Sequence, residues 1–222
     1  MIVAIDGPAA SGKSTVARAL ARRLQMGYLD TGAMYRSIAW LALRRGVALD
    51  DDDGLTRLAV EYPVTLAGEP GSGLSTVEVD GVDVTTSIRT PEVESAVSAV
   101  ARVPALRRVM VDAQRSAAAG GDYVVEGRDI GTVVFPDAEV KAFITASAEE
   151  RARRRGADER AAGLTPTEDD TLTRLAARDH KDSSRAASPL MTADDAALID
   201  TTGLSVEQVV DAIVELVDEA RV

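Results

Sequence analysis

One run of residues near the start restricts the fold more than any other feature of the chain. Ile2, Val3 and Ile5 form a short apolar stretch that reads as a buried strand. Asp6 ends it. Gly7-Pro8-Ala9-Ala10-Ser11-Gly12-Lys13-Ser14 follows, with the spacing G-x-x-x-x-G-K-[ST], and Thr15 lies directly behind. Val16, Ala19, Leu20 and Leu24 then recur at helical spacing. A strand, a glycine-rich turn and a helix in that order commit the chain to the α/β class, because the turn must return the helix onto a sheet.

The same run carries chemistry. Gly7 and Gly12 allow backbone angles that bring N–H groups close to an anion. A helix starting near Lys13 aims its free N–H groups and positive dipole end at the same point. Lys13 adds a charge for the β- and γ-phosphates, and Ser14 offers a hydroxyl to Mg²⁺. The stretch from Gly7 to Thr15 is therefore expected to cradle a nucleoside triphosphate. Its purpose must be read elsewhere.

At 222 residues the chain has room for one large domain, or one domain carrying inserts. Aromatic residues are only 3%, so the core must be built from Ala, Val, Leu and Ile. Cysteine is absent, which excludes disulfides and thiolate metal sites and suits a reducing cytosol. No segment approaches the ~20 apolar residues of a membrane span. The expectation is a soluble cytoplasmic protein without a membrane partner. A net charge of −11 argues against general nucleic-acid binding. Arginines nevertheless gather at Arg151, Arg153, Arg154 and Arg155, and again at Arg178 and Arg185. Local arginine clusters on an acidic chain suit a small, highly charged anion in a cleft.

Along the chain, Tyr28-Leu29 reads as a short strand, Asp30-Thr31-Gly32 as a turn, and the following residues as helix to Arg45, closed by Gly46. Met34 and Trp40 are expected in the core. Asp50 to Asp53 reads as an acidic helix start rather than a metal site. Residues 62–87 alternate as a small antiparallel sheet, with Asp80-Gly81 as its hairpin turn. Thr90-Pro91 and Pro104 start helices. Tyr123 to Glu126 is a buried strand that delivers Gly127-Arg128-Asp129 at its carboxyl end, where open α/β sheets bind ligands. Val140 to Ile144 is another strand, Glu149 to Arg155 a basic helix, and the residues beyond it a polar stretch to Gly163. Thr165-Pro166-Thr167-Glu168 reads as a capping box, as does Ser205-Val206-Glu207-Gln208 ahead of the last helix. Ala197 to Asp200 is the last strand. Strands alternating with helices give a parallel sheet with helices on both faces.

Phosphoryl transfer needs positioning and charge neutralisation more than covalent help. A phosphorylated acceptor would call for two sets of arginines, one on the acceptor and one closing over the triphosphate. Arg36, Arg89 and Arg128 lie at turns and helix starts suited to the first. Arg151, Arg153, Arg154 and Arg155 suit the second.

On these motifs the chain resembles the bacterial cytidylate kinases, of the P-loop nucleoside monophosphate kinase family. The resemblance rests on Ile5-Asp6-Gly7-Pro8 with the P-loop, Leu29 to Arg36, Ser87-Ile88-Arg89-Thr90, the run Glu126 to Pro136, and Arg178-Asp179 with Asp182 and Arg185. It implies a P-loop three-layer α/β sandwich around a five-stranded parallel sheet, with an antiparallel-sheet acceptor insert and a lid. The chain would then be a single kinase domain over residues 1–222. Its core would be 1–30, 104–148 and 186–222, its acceptor region 31–103, and its lid 149–185.

The resemblance also implies roles. Thr31, Tyr35, Arg36 and Arg128 would hold the acceptor phosphate, with Arg89 nearby. Ser98, Arg107 and Asp129 would read the cytosine edge. Arg178, Asp182 and Arg185 would sit by the acceptor sugar and the transferring phosphate. Arg151, Arg154 and Arg155 would close over ATP. The reaction implied is ATP with CMP or dCMP, assisted by Mg²⁺, in a protein expected to be monomeric. Lys13, Arg128, Arg154, Arg155 and Arg185 would stabilise the charge in flight, and Asp129 is the nearest candidate base. Thr31 keeps the hydroxyl of the serine common at its position. Glu126 stands where aspartate is frequent, and could order Mg²⁺-bound water. Two rival readings are a kinase for UMP, AMP or another small acceptor, and a nucleotide-dependent switch or ATPase. The second lacks support: no N-K-x-D guanine reader occurs, and Val124-Val125-Glu126-Gly127 lacks the Asp-Glu ending of a motor ATPase.

Overall fold

Short apolar runs with polar ends dictate strands, and the structure, a computed structural model describing residues 1–161 and 163–221, pairs them into sheets. The strands are β1 (Ile2–Asp6), β2 (Gly27–Asp30), β3 (Val64–Ala67), β4 (Thr76–Val79), β5 (Val82–Asp83), β6 (Tyr123–Glu126), β7 (Val140–Thr145) and β8 (Ala197–Asp200). The central sheet is five-stranded and all parallel, in the order β2-β6-β1-β7-β8.

Helices cover both faces, as the strands' two-sided apolar character requires. The helices are α1 (Lys13–Leu24), α2 (Thr31–Arg45), α3 (Asp52–Glu61), α4 (Pro91–Ala101), α5 (Pro104–Ala117), α6 (Ala148–Ala161), α7 (Glu168–Ser183) and α8 (Val206–Ala220). Val3 and Ile5 of β1 pack with Val16 and Leu20 of α1 and Ile213 and Val217 of α8. Ala4, between them in sequence, faces the other way, into a cluster with Leu29, Ile38 of α2 and Leu106 of α5. This is a three-layer sandwich, and β1 with its glycine-rich turn lies at its centre.

The small sheet is β3-β4-β5, antiparallel, with Val64, Leu66, Val77 and Val79 buried. Asp80 (φ 53°) and Gly81 (φ 74°) are both left-handed, as a two-residue hairpin turn demands. The loop between β3 and β4 lies along the outer side of β2. Gly71 N–H donates to the Met26 carbonyl at 3.0 Å, and the Asp30 amide donates to Ser75 Oγ at 3.4 Å. A β-carbon at Gly68 would overlap the Tyr28 backbone, so only glycine permits that approach.

Four local expectations need correction. Asp30-Thr31-Gly32 is not a separate turn. The Asp30 carboxylate accepts from Ala33 N–H at 3.1 Å and caps α2, which starts at Thr31. The basic helix does not end at Arg155; ion pairs from Arg155 to Glu159 carry α6 on to Ala161. The capping residue of α7 is Thr167, bonded to the Asp170 amide, rather than Thr165. Trp40 is half-buried at the margin of the core, with the Arg44 guanidinium 4.9 Å from its ring. Ser205 and Gln208 form the capping box expected of them. Among the described residues, no helix is long and apolar enough to cross a membrane.

Candidate functional site

Gly7 leaves β1 with φ 146° and its Cα against the Ile144 carbonyl, where a β-carbon would overlap backbone. Ala10 (φ 58°) and Gly12 (φ 93°) complete a curl that brings the start of α1 around a common centre. Lys13 is buried and donates to the Pro8 carbonyl at 2.7 Å. Burial, and then the nearby Arg128, push its ammonium down to about 7, with Arg178 acting in the same direction. Such crowding of cations suits a polyanion at the centre.

Two arginines of α6 fasten this loop. Arg154 donates to the Ser11 carbonyl at 3.1 Å and to the Thr201 carbonyl at 2.9 Å. Arg151 pairs with Asp179 and reaches the Ala9 carbonyl at 3.3 Å. Arg153 is instead exposed and bound to Glu150, outside the site.

Glu126, at the end of β6, faces the loop from below. Its Oε1 accepts from Ser14 Oγ and from Tyr28 Oη, each at 2.8 Å. Its Oε2 is buried without a partner. Burial, then the Asp30 charge, hold this carboxyl above the usual range, against the pull of Lys13, Ser14 and Tyr28. The Glu126 carbonyl takes the Thr31 hydroxyl at 2.8 Å, which fixes the start of α2. Ser14 Oγ and the open Oε2 are oxygen donors of the kind a hard divalent cation takes.

Beyond Gly127 the chain enters a single π-turn, Ile130–Val134. The Asp6 carboxylate holds its start, accepting from the amides of Ile130 and Gly131, both at 2.8 Å. Burial pushes that carboxyl up to about 6, against the two amides. Asp129, just ahead of the turn, pairs with Arg107 at 2.5 Å, and both side chains are about 5% exposed. The Arg107 guanidinium lies 5.0 Å from the centre of the Tyr35 ring, whose hydroxyl is pushed up to about 12 by burial. Arg128 turns the other way, to Asp182 at 3.0 Å, and Arg185 approaches the same carboxylate at 3.5 Å.

The remaining cations are likewise paired. Arg36 meets Asp30 at 2.6 Å, and Arg89, exposed, lies 3.6 Å from it. Arg178 meets Glu94, and Arg155 lies 3.7 Å from the same oxygen. Ser98 is half-buried one helical turn beyond Glu94, on the same face of α4. The structure thus gathers guanidiniums from α2, α5, α6, α7 and the end of β6, with interleaved carboxylates. Such an array can hold two phosphorylated molecules end to end.

Sequence reasoning missed Asp6, Tyr28, Asp30, Glu94 and Thr201 as parts of this array. Asp30 was recoverable, since Asp before an apolar helical pattern is a capping signal. Nothing local marked the others, whose partners lie far away in sequence.

A family model described as cytidylate kinase matches residues 3–219. The cytidylate kinase of Pelotomaculum thermopropionicum is 52% identical over 99% of this chain and 96% of its own length. A bifunctional pantoate ligase/cytidylate kinase of a Synechococcus species is 51% identical over 97% of this chain, which spans 40% of that longer protein. A crystal structure of an uncharacterized protein from Eubacterium ventriosum superposes with a TM-score of 0.56 at 14% identity, covering 98% of each chain, and shares the fold.

Proposed function

The chain belongs to the cytidylate kinase family, and we infer from this that its reaction is ATP + CMP → ADP + CDP, with dCMP as a second acceptor. The observation that carries the reading is Glu126, whose carboxylate takes the Ser14 hydroxyl of the glycine-rich loop while its carbonyl takes the Thr31 hydroxyl at the start of α2, so that the two phosphate-binding elements meet at one strand end.

In this reading Gly7 to Thr15 bind the phosphates of ATP through backbone N–H groups and Lys13. Thr31, Tyr35, Arg36, Arg89 and Arg128 receive the phosphate of CMP. The buried Arg107–Asp129 pair supports base recognition. Asp129 can accept from the cytosine N4 amino group, and Arg107 and Ser98 can donate to O2 and N3. Arg178, Asp182 and Arg185 stand beside the sugar. No strong general base is required, because the attacking oxygen is already a phosphate oxygen. Lys13, Arg128, Arg154, Arg155 and Arg185 stabilise charge that develops during transfer. Ser14 and Glu126 would hold a hydrated Mg²⁺, which supplies charge neutralisation at the phosphates when bound. Residues 31–103 and 149–185 act as acceptor region and lid around the core and close on the pair, excluding water that would otherwise hydrolyse ATP.

A coupled assay of ADP release across CMP, dCMP, UMP, AMP and GMP tests the reading. Release should be fastest with CMP or dCMP. Release that ignores the monophosphate, or is fastest with AMP, overturns it.

A further inference from the structure

Among the carboxylates of the site, Glu94 has a distinctive position. It belongs to α4, in the region assigned to the acceptor, yet its partners come from elsewhere. Its Oε1 accepts from Arg178 of α7 and lies 3.7 Å from Arg155 of α6. Arg36 of α2 is near enough to act on its charge. Against the penalty of burial, Arg178 and then Arg155 hold the Glu94 carboxyl below the usual range. One anionic side chain thus meets guanidiniums from two other helices. A phosphate group entering the cleft would ask the same guanidiniums for the same kind of bond.

We propose that Glu94 is an internal stand-in for substrate phosphate, a positioning residue that keeps Arg178 oriented and neutralised, and with Glu159 holds Arg155, until a phosphorylated ligand displaces it. The inference rests on the reading of those arginines as anion-binding groups.

Two consequences follow from the geometry. First, a ligand offering only a simple phosphate must compete with a carboxylate already in place, so free phosphate and pyrophosphate bind weakly. A nucleotide gains further contacts at the base and sugar and wins the exchange. Second, displacement frees α4 from α6 and α7, so the acceptor region and the lid exchange their direct link for one through the bound phosphates. A link that only fastened helices would act in the opposite sense: its loss would loosen the site and weaken every ligand.

The test is calorimetric titration of inorganic phosphate and pyrophosphate into the wild-type protein, Glu94→Gln, Glu94→Ala and Arg178→Ala, with thermal melts to select folded variants. Removing the competing charge should tighten pyrophosphate binding about tenfold in Glu94→Gln or Glu94→Ala. Glu94→Asp, which restores the charge, should return it toward wild type. In steady state KM for CMP should fall while kcat falls or stays level, because release of product slows. Unchanged or weaker pyrophosphate binding in both folded Glu94 variants, while Arg178→Ala weakens it, overturns the inference. Binding that is indifferent to Arg178→Ala overturns instead the assignment of the arginines on which the inference rests.

Discussion

Tyr28 Oη donates to Glu126 Oε1 at 2.8 Å across adjacent parallel strands, and the same oxygen takes Ser14 Oγ from the glycine-rich loop. Both the phenol and the carboxylate are almost wholly buried. The edge strand β2 is thus wired through β6 to the first turn of α1. Tyr28→Phe keeps the ring in the core and deletes only the donor. It should lower stability by about 1–2 kcal/mol, read from urea denaturation. It should also weaken Mg·ATP binding, read by calorimetry, because Glu126 is left held by Ser14 alone.

Asp6 makes a pH-dependent contribution of defined sign. Its folded-state value, about 6, exceeds the ordinary 3.8. Its contribution is therefore fully present below pH 3.8 and is lost as pH rises through about 6. Asp6→Asn removes the titration. The stability of wild type relative to that variant should fall by roughly 3 kcal/mol between pH 4 and pH 7. Parallel urea melts of the two proteins across that range check it; a flat difference would contradict the burial of an ionisable carboxyl there.

Asp129→Asn should separate the two substrates. Loss of the charge proposed to read the base should lower kcat/KM for CMP by about ten- to a hundredfold, while KM for ATP stays within about twofold. Lys13→Ala should cut phosphoryl transfer by about a thousandfold or more at saturating CMP. Initial-rate kinetics with each substrate varied in turn reads both.

The two loop glycines should not be equivalent. A β-carbon on Gly7 would overlap the Ile144 carbonyl, whereas one on Gly12 meets only the end of the Arg154 side chain, 3.2 Å away. Both positions have positive φ, so both variants carry backbone strain. Gly7→Ala should be the more destabilising, by about 2 kcal/mol or more, because backbone cannot yield as a side chain can. Thermal melts of the two variants give the order.

The elements of the central sheet were legible because each strand is a short apolar run with a polar or glycine-rich end. The antiparallel insert was legible from the Asp80-Gly81 turn and the alternation of Val77 and Val79 with polar neighbours. Boundaries failed where side chains chose between neighbouring caps, as with Thr165 and Thr167, or where ion pairs prolonged α6 past its apolar positions. The phosphate-binding loop declared itself by spacing. Ser98 and Arg107 did not: on pattern alone they are helix-surface residues, and only the family resemblance singled them out, whereas Asp129 was marked by its place at the carboxyl end of a buried strand. The partners of the site, Asp6, Glu94 and Thr201, were invisible because a bond formed between residues far apart in sequence leaves no local periodicity. The π-turn at Ile130–Val134 was equally hidden, since its driving bonds come from Asp6 on another strand.

The loop of residues 68–75 also bears on how this protein fails. β2 is an outermost strand, and an outermost strand offers an open row of amides and carbonyls to any passing chain. Gly68, Gly71 and Ser75 lie over that row. A single proteolytic cut within 68–75 would therefore do two kinds of harm at once. It would unhinge the insert, and it would leave a sticky margin along which damaged copies could stack.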